Sequence, residues 1–210
     1  MGWIRVLPIA LALGLATATA GAQPSISAVE EKRTALFNQG HALASAGKWA
    51  EAAEKFKAVI DLRSAPKAWI ALGLAEENLN KLASAKKAYE RAAAEAASQG
   101  LSDDEESARK GAASLAPRVA HVRVTFADAP QDLRVTLDGA VVNASAQLDV
   151  DAGTHTIGAS ASAFTQFETT IKIANGEQRD IEPVLSAISR GKGSDLLTKI
   201  RLRGGRHPRV

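Results

Sequence analysis

The sequence predicts an α+β chain, with N-terminal α-helical hairpin repeats followed by a small antiparallel β-sandwich. Two observations carry this. Sliding the sequence by 33 residues lays Gly40 on Gly73, Lys48 on Lys81, Ala52 on Ala85 and Phe56 on Tyr89, the signature of an internal repeat. Beyond Pro117 the apolar spacing falls from the helical three-to-four to an alternation of two, punctuated by Asp-Gly, Ala-Gly and Asn-Gly dipeptides, which mark hairpin turns.

The chain opens with a segment expected to be removed. Arg5 precedes the apolar run Val6 to Leu15, which is too short to span a bilayer. Ala20-Gly21-Ala22 offers a small-x-small cleavage site. Residues 1–22 therefore read as a secretory signal peptide, and export to the periplasm, the medium or the cell surface follows. Residues 23–117 form the helical half. Its aligned segments each hold two helical stretches around a short break, Ala46-Gly47-Lys48 in the first and Asn80-Lys81 in the second, with Gly47 as a helix stop. Glycine at positions 40 and 73 lets the two helices of a pair approach, and the ring at Phe56 or Tyr89 fills the adjoining space. Trp69, Leu72 and Leu79 supply the apolar stripe of the second unit's first helix. Pro66 falls in that helix's first turn, where its missing N–H costs nothing. Two repeats leave an apolar end open, and a capping helix is expected next. Ser102-Asp103-Asp104-Glu105 has capping-box spacing, and the helix runs through Ala108, Ala112 and Leu115 to Pro117.

Residues 118–186 read as the strand half. His121 to Phe126 alternates, as do Leu133 to Leu137, and Asp138-Gly139 ends the second run in a hairpin turn. Val141-Val142, Leu148 to Val150, Thr154 to Ser160, Phe167 to Ile173 and Arg179 to Leu185 complete seven short strands, a number that suits a sandwich. Residues 187–210 form a basic tail expected to lack fixed structure.

These residues carry two resemblances. Trp69, Leu72, Gly73, Ala85, Tyr89 and Ala92 fall on the signature positions of the tetratricopeptide (TPR) repeat, and Leu36, Gly40, Ala52, Phe56 and Val59 match it in the first unit. The segments VTLDGAVV, LDVDAGTHTIGASASAF and FETTIKIANGEQRDIEPVL resemble the PEGA domain, with Pro130, Asp138-Gly139, Ala152-Gly153-Thr154-His155 and Gly176 as landmarks. The resemblances imply helix pairs with a concave face formed by the first helix of each pair. They also imply a non-catalytic β-sandwich associated with bacterial cell surfaces.

The chemistry available is limited. The 210 residues include no cysteine, which removes disulfides, thiolate nucleophiles and thiolate metal sites. The four histidines, His41, His121, His155 and His207, have no zinc-site spacing. No nucleophile elbow, phosphate loop or dinucleotide fingerprint occurs. Ser64 and Lys67 meet a Ser-x-x-Lys spacing in an inter-repeat loop, where chance explains it. The acidic run 103–106 lacks the Asp-x-Asp-x-Asp-Gly pattern of a calcium loop and suits a helix N-terminus instead. No catalytic residue, metal ligand or cofactor is therefore expected. The formal charge is +3 overall, yet residues 190–210 hold seven Lys or Arg against one Asp. With that tail and Arg5 set aside, residues 23–189 are mildly acidic.

The expected function is an exported, non-catalytic scaffold for protein–protein interaction in the bacterial cell envelope. The alternative is a module that binds cell-wall or surface polysaccharide through the sandwich and the basic tail. By repeat position, Phe37, His41, Lys67, Ile70, Leu74, Glu77 and Asn78 are expected on the concave face, together with Thr34 and Ser45, to receive a protein or peptide partner. Nucleic acid is not an expected partner. Membrane contact would fall to the tail.

Overall fold

The computed structural model describes residues 26–188, so the leader and all but the first two residues of the expected tail, Ala187 and Ile188, lie outside the described residues. Five helices come first: α1 (Ile26–Ser45), α2 (Trp49–Leu62), α3 (Pro66–Asn78), α4 (Leu82–Gln99) and α5 (Ser102–Leu115). A 3-10 turn at Ala116–Arg118 leads into seven strands, β1 (Ala120–Val124), β2 (Arg134–Leu137), β3 (Ala140–Val142), β4 (Gln147–Val150), β5 (Gly153–Ser160), β6 (Phe167–Ile173) and β7 (Gln178–Ile181). The architecture is α+β, with two small and mostly antiparallel sheets after the helices.

Helix ends follow local chemistry. α1, α3 and α4 stop in the same way, with a residue of positive φ after the last turn: Gly47 at 72°, Asn80 at 60° and Gly100 at 70°. In each, the next N–H reaches back five residues: Lys48 to Leu43, Lys81 to Glu76 and Leu101 to Ala96, all at 2.9 Å. This returns orphan carbonyls to the hydrogen-bond network. Asn80 substitutes for glycine because its short amide tolerates the left-handed region.

Contacts between helices rest on missing side chains. A Cβ added to Gly40 would lie 2.5 Å from Phe56 Cε1, and one added to Gly73 would lie 2.9 Å from Tyr89 Cε1. Gly111 of α5 faces the same Tyr89 ring, with an added Cβ at 3.0 Å. Tyr89 is thus held between glycines of α3 and α5. Phe56 packs in a separate core with alanines 52, 53, 71, 75 and 88 and Leu72, while Tyr89 clusters with Leu82, Ala83, Ala85, Leu115 and Val119.

The sheets are ordered β4-β1-β7 and β3-β2-β5-β6. One apolar cluster draws on both: Ala120, Val122, Val124 and Val150 from the first, and Val135, Ile157 and Ile173 from the second. The alternation of β1 places Val122 and Val124 in this core. Asp138 and Gly139 have φ of 50° and 81°, as a two-residue hairpin requires.

Four expectations are corrected. β1 pairs with β7 in parallel, His121 opposite Gln178, so the first sheet is mixed. β7 ends at Ile181 rather than Leu185; Pro183, with no N–H to donate, lies just beyond it. The expected tail is ordered at its start: Ala187 bridges Phe164 in antiparallel fashion, and Ile188 N donates to Ala163 O at 2.8 Å. Ser102 is the first residue of α5 and not its cap, because Gly100 ends α4 and leaves only Leu101 between the helices.

The helical and strand halves join without a linker. Val119 packs in a cluster with Leu82, Tyr89 and Leu115, while Ala120 belongs to the sheet core.

Candidate functional site

The first helices of successive pairs carry the candidate docking site. A cleft of about 380 Å³ is lined by Glu30, Arg33, Thr34 and Phe37 of α1, Pro66, Lys67 and Ala68 of α3, and Leu101 and Asp104 at the start of α5, with Val59, Ala65 and Gln99 completing it. Phe37 is half-buried and meets Phe56 edge-on, with ring centroids 5.8 Å apart. Val59 and Ala68 are buried, so the floor is apolar and the charges stand at the rim.

The rim charges differ in their commitments. Glu30 accepts hydrogen bonds from Arg33 Nη1 at 2.5 Å and Arg63 Nη1 at 2.8 Å. The Arg63 bond leads in holding this carboxyl below the usual range. Lys67 and Asp104, by contrast, form no ion pair among the described residues. They leave one free charge of each sign along the cleft.

One wall is fixed by a polar relay. Trp69 Nε1 donates to Ser64 Oγ at 2.8 Å, and Ser64 Oγ donates to Glu95 Oε2 at 2.6 Å. Gln99 Nε2 donates to Glu95 Oε1 at 3.1 Å. The relay ties the α2–α3 connection to the end of α4. Ser64 takes Trp69 and Glu95 as its partners, with Lys67 not among them.

Of the seven residues expected to contact a partner, Phe37 and Lys67 line the cleft. His41 is exposed one turn further along α1, its ring 4.5 Å from Phe37 and 5.4 Å from Phe56. Leu74 is 48% exposed, outside the cleft. Asn78 donates to Leu74 O of its own helix at 2.8 Å. Ile70 packs against clusters that include Ala108 and Ala112 of α5, and so contributes to the α3–α5 contact. Glu77 is engaged by Tyr89 and by Arg118 Nη1 at 3.5 Å. Burial, then the Glu77 charge and hydrogen bond, push the Tyr89 phenol up to about 12.

Arg33, Leu101 and Asp104 were missed by the sequence reading. Reading α5 as a cap removed it from the face. The available signal was Gly111, which lies 38 residues after Gly73 and meets Tyr89 as Gly73 does.

A second cluster lies where the halves meet. Asp151, just beyond β4, accepts from Ala83 N at 2.9 Å and Ser84 N at 3.0 Å through Oδ1, and from Ser84 Oγ at 2.6 Å through Oδ2. It therefore caps α4 from the other half of the chain, satisfying free N–H groups at a helix N-terminus. Asp149 accepts from Lys86 Nζ at 2.7 Å and stands 2.9 Å from His121 Nδ1, while Lys86 also meets Glu90 at 2.8 Å. Burial pulls the Lys86 ammonium down, but these carboxylates outweigh it and leave it above its ordinary value. Asn175 donates to Asn80 at 2.7 Å. Glu76, the one buried charged residue among those described, lies behind this joint, and desolvation leads in raising its carboxyl.

Among the described residues no group of three or more His, Asp or Glu is placed to hold a metal ion, and no helix is long and apolar enough to cross a membrane. The chain matches no family model, no curated protein and no solved structure.

Proposed function

We propose that this chain is an exported, non-catalytic scaffold of the bacterial cell envelope, which holds a protein or peptide segment against its helical half. In this reading α1–α2 and α3–α4 are TPR-like pairs, and the two sheets form a PEGA-like β-sandwich that seats them. The glycine-against-ring contact, recurring at 33-residue spacing, supports the first assignment. The core shared by both sheets supports the second.

The observation that carries the functional reading is the cleft itself. The first helices of both pairs and the start of α5 contribute to it, its floor is apolar, and Lys67 and Asp104 stand at its rim with charges free for a ligand. A volume of about 380 Å³ lies in the range of pockets that enclose a small group. It suits a few side chains of an extended segment rather than a folded surface. Phe37 would supply the apolar contact, and Lys67 with Asp104 would set the direction of the bound chain.

Photo-crosslinking residues placed at Thr34 and Asp104 in cells, with Lys57 on α2 as control, test this. One discrete adduct shared by positions 34 and 104, absent from 57 and weakened by Lys67→Glu or Leu101→Ser, is the expected result. Both of these changes are at exposed positions, where substitutions usually stay within about 0.5 kcal/mol. Identical adducts from all three positions, or adducts indifferent to both changes, would refute it.

A further inference from the structure

The strongest unexplained feature outside the cleft is His155 on β5. Its Nδ1 lies 2.7 Å from Asp138 Oδ2, and its Nε2 lies 2.8 Å from the Asp151 carbonyl oxygen. A carbonyl oxygen only accepts, and so does an ionised carboxylate. Both ring nitrogens must therefore donate, which only the imidazolium does. Asp138 is prepared for this role. Thr156 N donates to its other oxygen at 2.9 Å. Burial pushes its carboxyl up, but the His155 and Thr156 bonds prevail and hold it below the ordinary value.

We propose that His155 is a proton-controlled latch on the joint between the helical and strand halves, closed when the imidazole is protonated and released when it is neutral. The link runs through Asp151. Its carbonyl receives His155 Nε2 while its carboxylate caps α4 through Ala83 and Ser84. A neutral imidazole keeps its one N–H where the bond is charge-assisted, toward Asp138. Nε2 then turns a lone pair on the Asp151 carbonyl at under 3 Å. Repulsion displaces that peptide and loosens the grip of the same residue on α4.

The charged groups around the latch favour the closed form at lower pH. Asp138 from the β2–β3 turn and Asp151 from the β4–β5 turn face the ring. Glu76 and Lys81 stand on the α3–α4 side of Asp151, with Lys57 beside Glu76. Burial lowers the affinity of His155 for its proton, but the Asp138 bond, the Asp151 carbonyl and the two aspartate charges together raise it above the ordinary histidine value. A raised folded-state value means that the latch contributes fully below the unfolded value of about 6.5 and is lost as pH climbs through the higher folded value.

The test is an NMR titration of the full chain from about pH 5.5 to 8.5, the range in which histidine changes charge. It follows the His155 ring together with the Ala83 and Ser84 amides. The expected result is one shared inflection above about pH 6.5, absent from the amides of His155→Gln and unchanged in His121→Gln. Asp138→Asn should move the inflection down by about one pH unit or more, since a neighbouring opposite charge is removed. It serves as the second variant should His155→Gln not fold. Amides that fail to titrate, or that follow His121, would overturn the proposal, as would an inflection that Asp138→Asn leaves in place.

Discussion

Asp151→Ala isolates the joint in a single substitution. The wild-type carboxylate accepts three hydrogen bonds at 2.6 to 3.0 Å, two from backbone N–H groups of α4 and one from Ser84 Oγ. Removing a helix cap costs about 0.5–2 kcal/mol, and a hydrogen bond to a charged group contributes about 1.5–3 kcal/mol. These ranges describe the same contacts, so the expected loss is about 2 kcal/mol and not their sum. For a chain of this size each kcal/mol moves Tm by about 2–4 °C, which places Asp151→Ala about 4–8 °C below the parent. Asp151→Asn keeps an acceptor oxygen but loses the interaction of the charge with the helix dipole, worth about 0.3–1 kcal/mol, and should fall by no more than about 4 °C. Thermal unfolding followed by helical circular dichroism reads both variants. An alanine variant within about 1 °C of the parent, or one no less stable than the asparagine variant, would refute the capping argument.

Tyr89 is the sole tyrosine of the chain, so its ionisation can be followed by ultraviolet absorbance without ambiguity. The phenol should titrate near the raised value of about 12, and Glu77→Gln should lower that value. Because the folded value lies above the unfolded value of about 10, the stability this phenol contributes is present below pH 10 and is lost as pH rises toward 12. Gly40→Ala should cost about 1–3 kcal/mol by overpacking against Phe56, measured by urea denaturation. Phe56→Ala removes a ring that is 1% exposed and should cost about 3–5 kcal/mol in the same assay.

The strand half was legible because each signal was local. Val122 and Val124 alternate, and Asp138-Gly139 names its own turn, so seven strands could be placed with small errors at their ends. The parallel β1–β7 pair was not legible, since it depends on where the chain returns after five intervening strands. In the helices the glycine–ring repeat was visible at 33-residue spacing, and Pro66 and Gly47 act as read. The cleft was legible through Thr34, Phe37 and Lys67. Ile70 and Glu77 occupy face positions by register, but α5 and the 3-10 turn engage them, and reading α5 as a cap concealed that. The joint left no trace in the sequence: Asp151 and Ala83 are 68 positions apart, and no turn motif or period links residues so distant.

The adjacency of Val119 and Ala120, each anchored in a different apolar interior, means that neither half of this protein is a cassette. A cut at residue 118 would leave the helices without the plug that closes over Leu115 and Tyr89. The severed strands would keep β1 whole but lose the helical cluster that holds Val119, the residue just before it. Transplanting either half into another chain would therefore require redesigning the surface that its neighbour now covers. Duplication or shuffling could proceed only by carrying the two halves together.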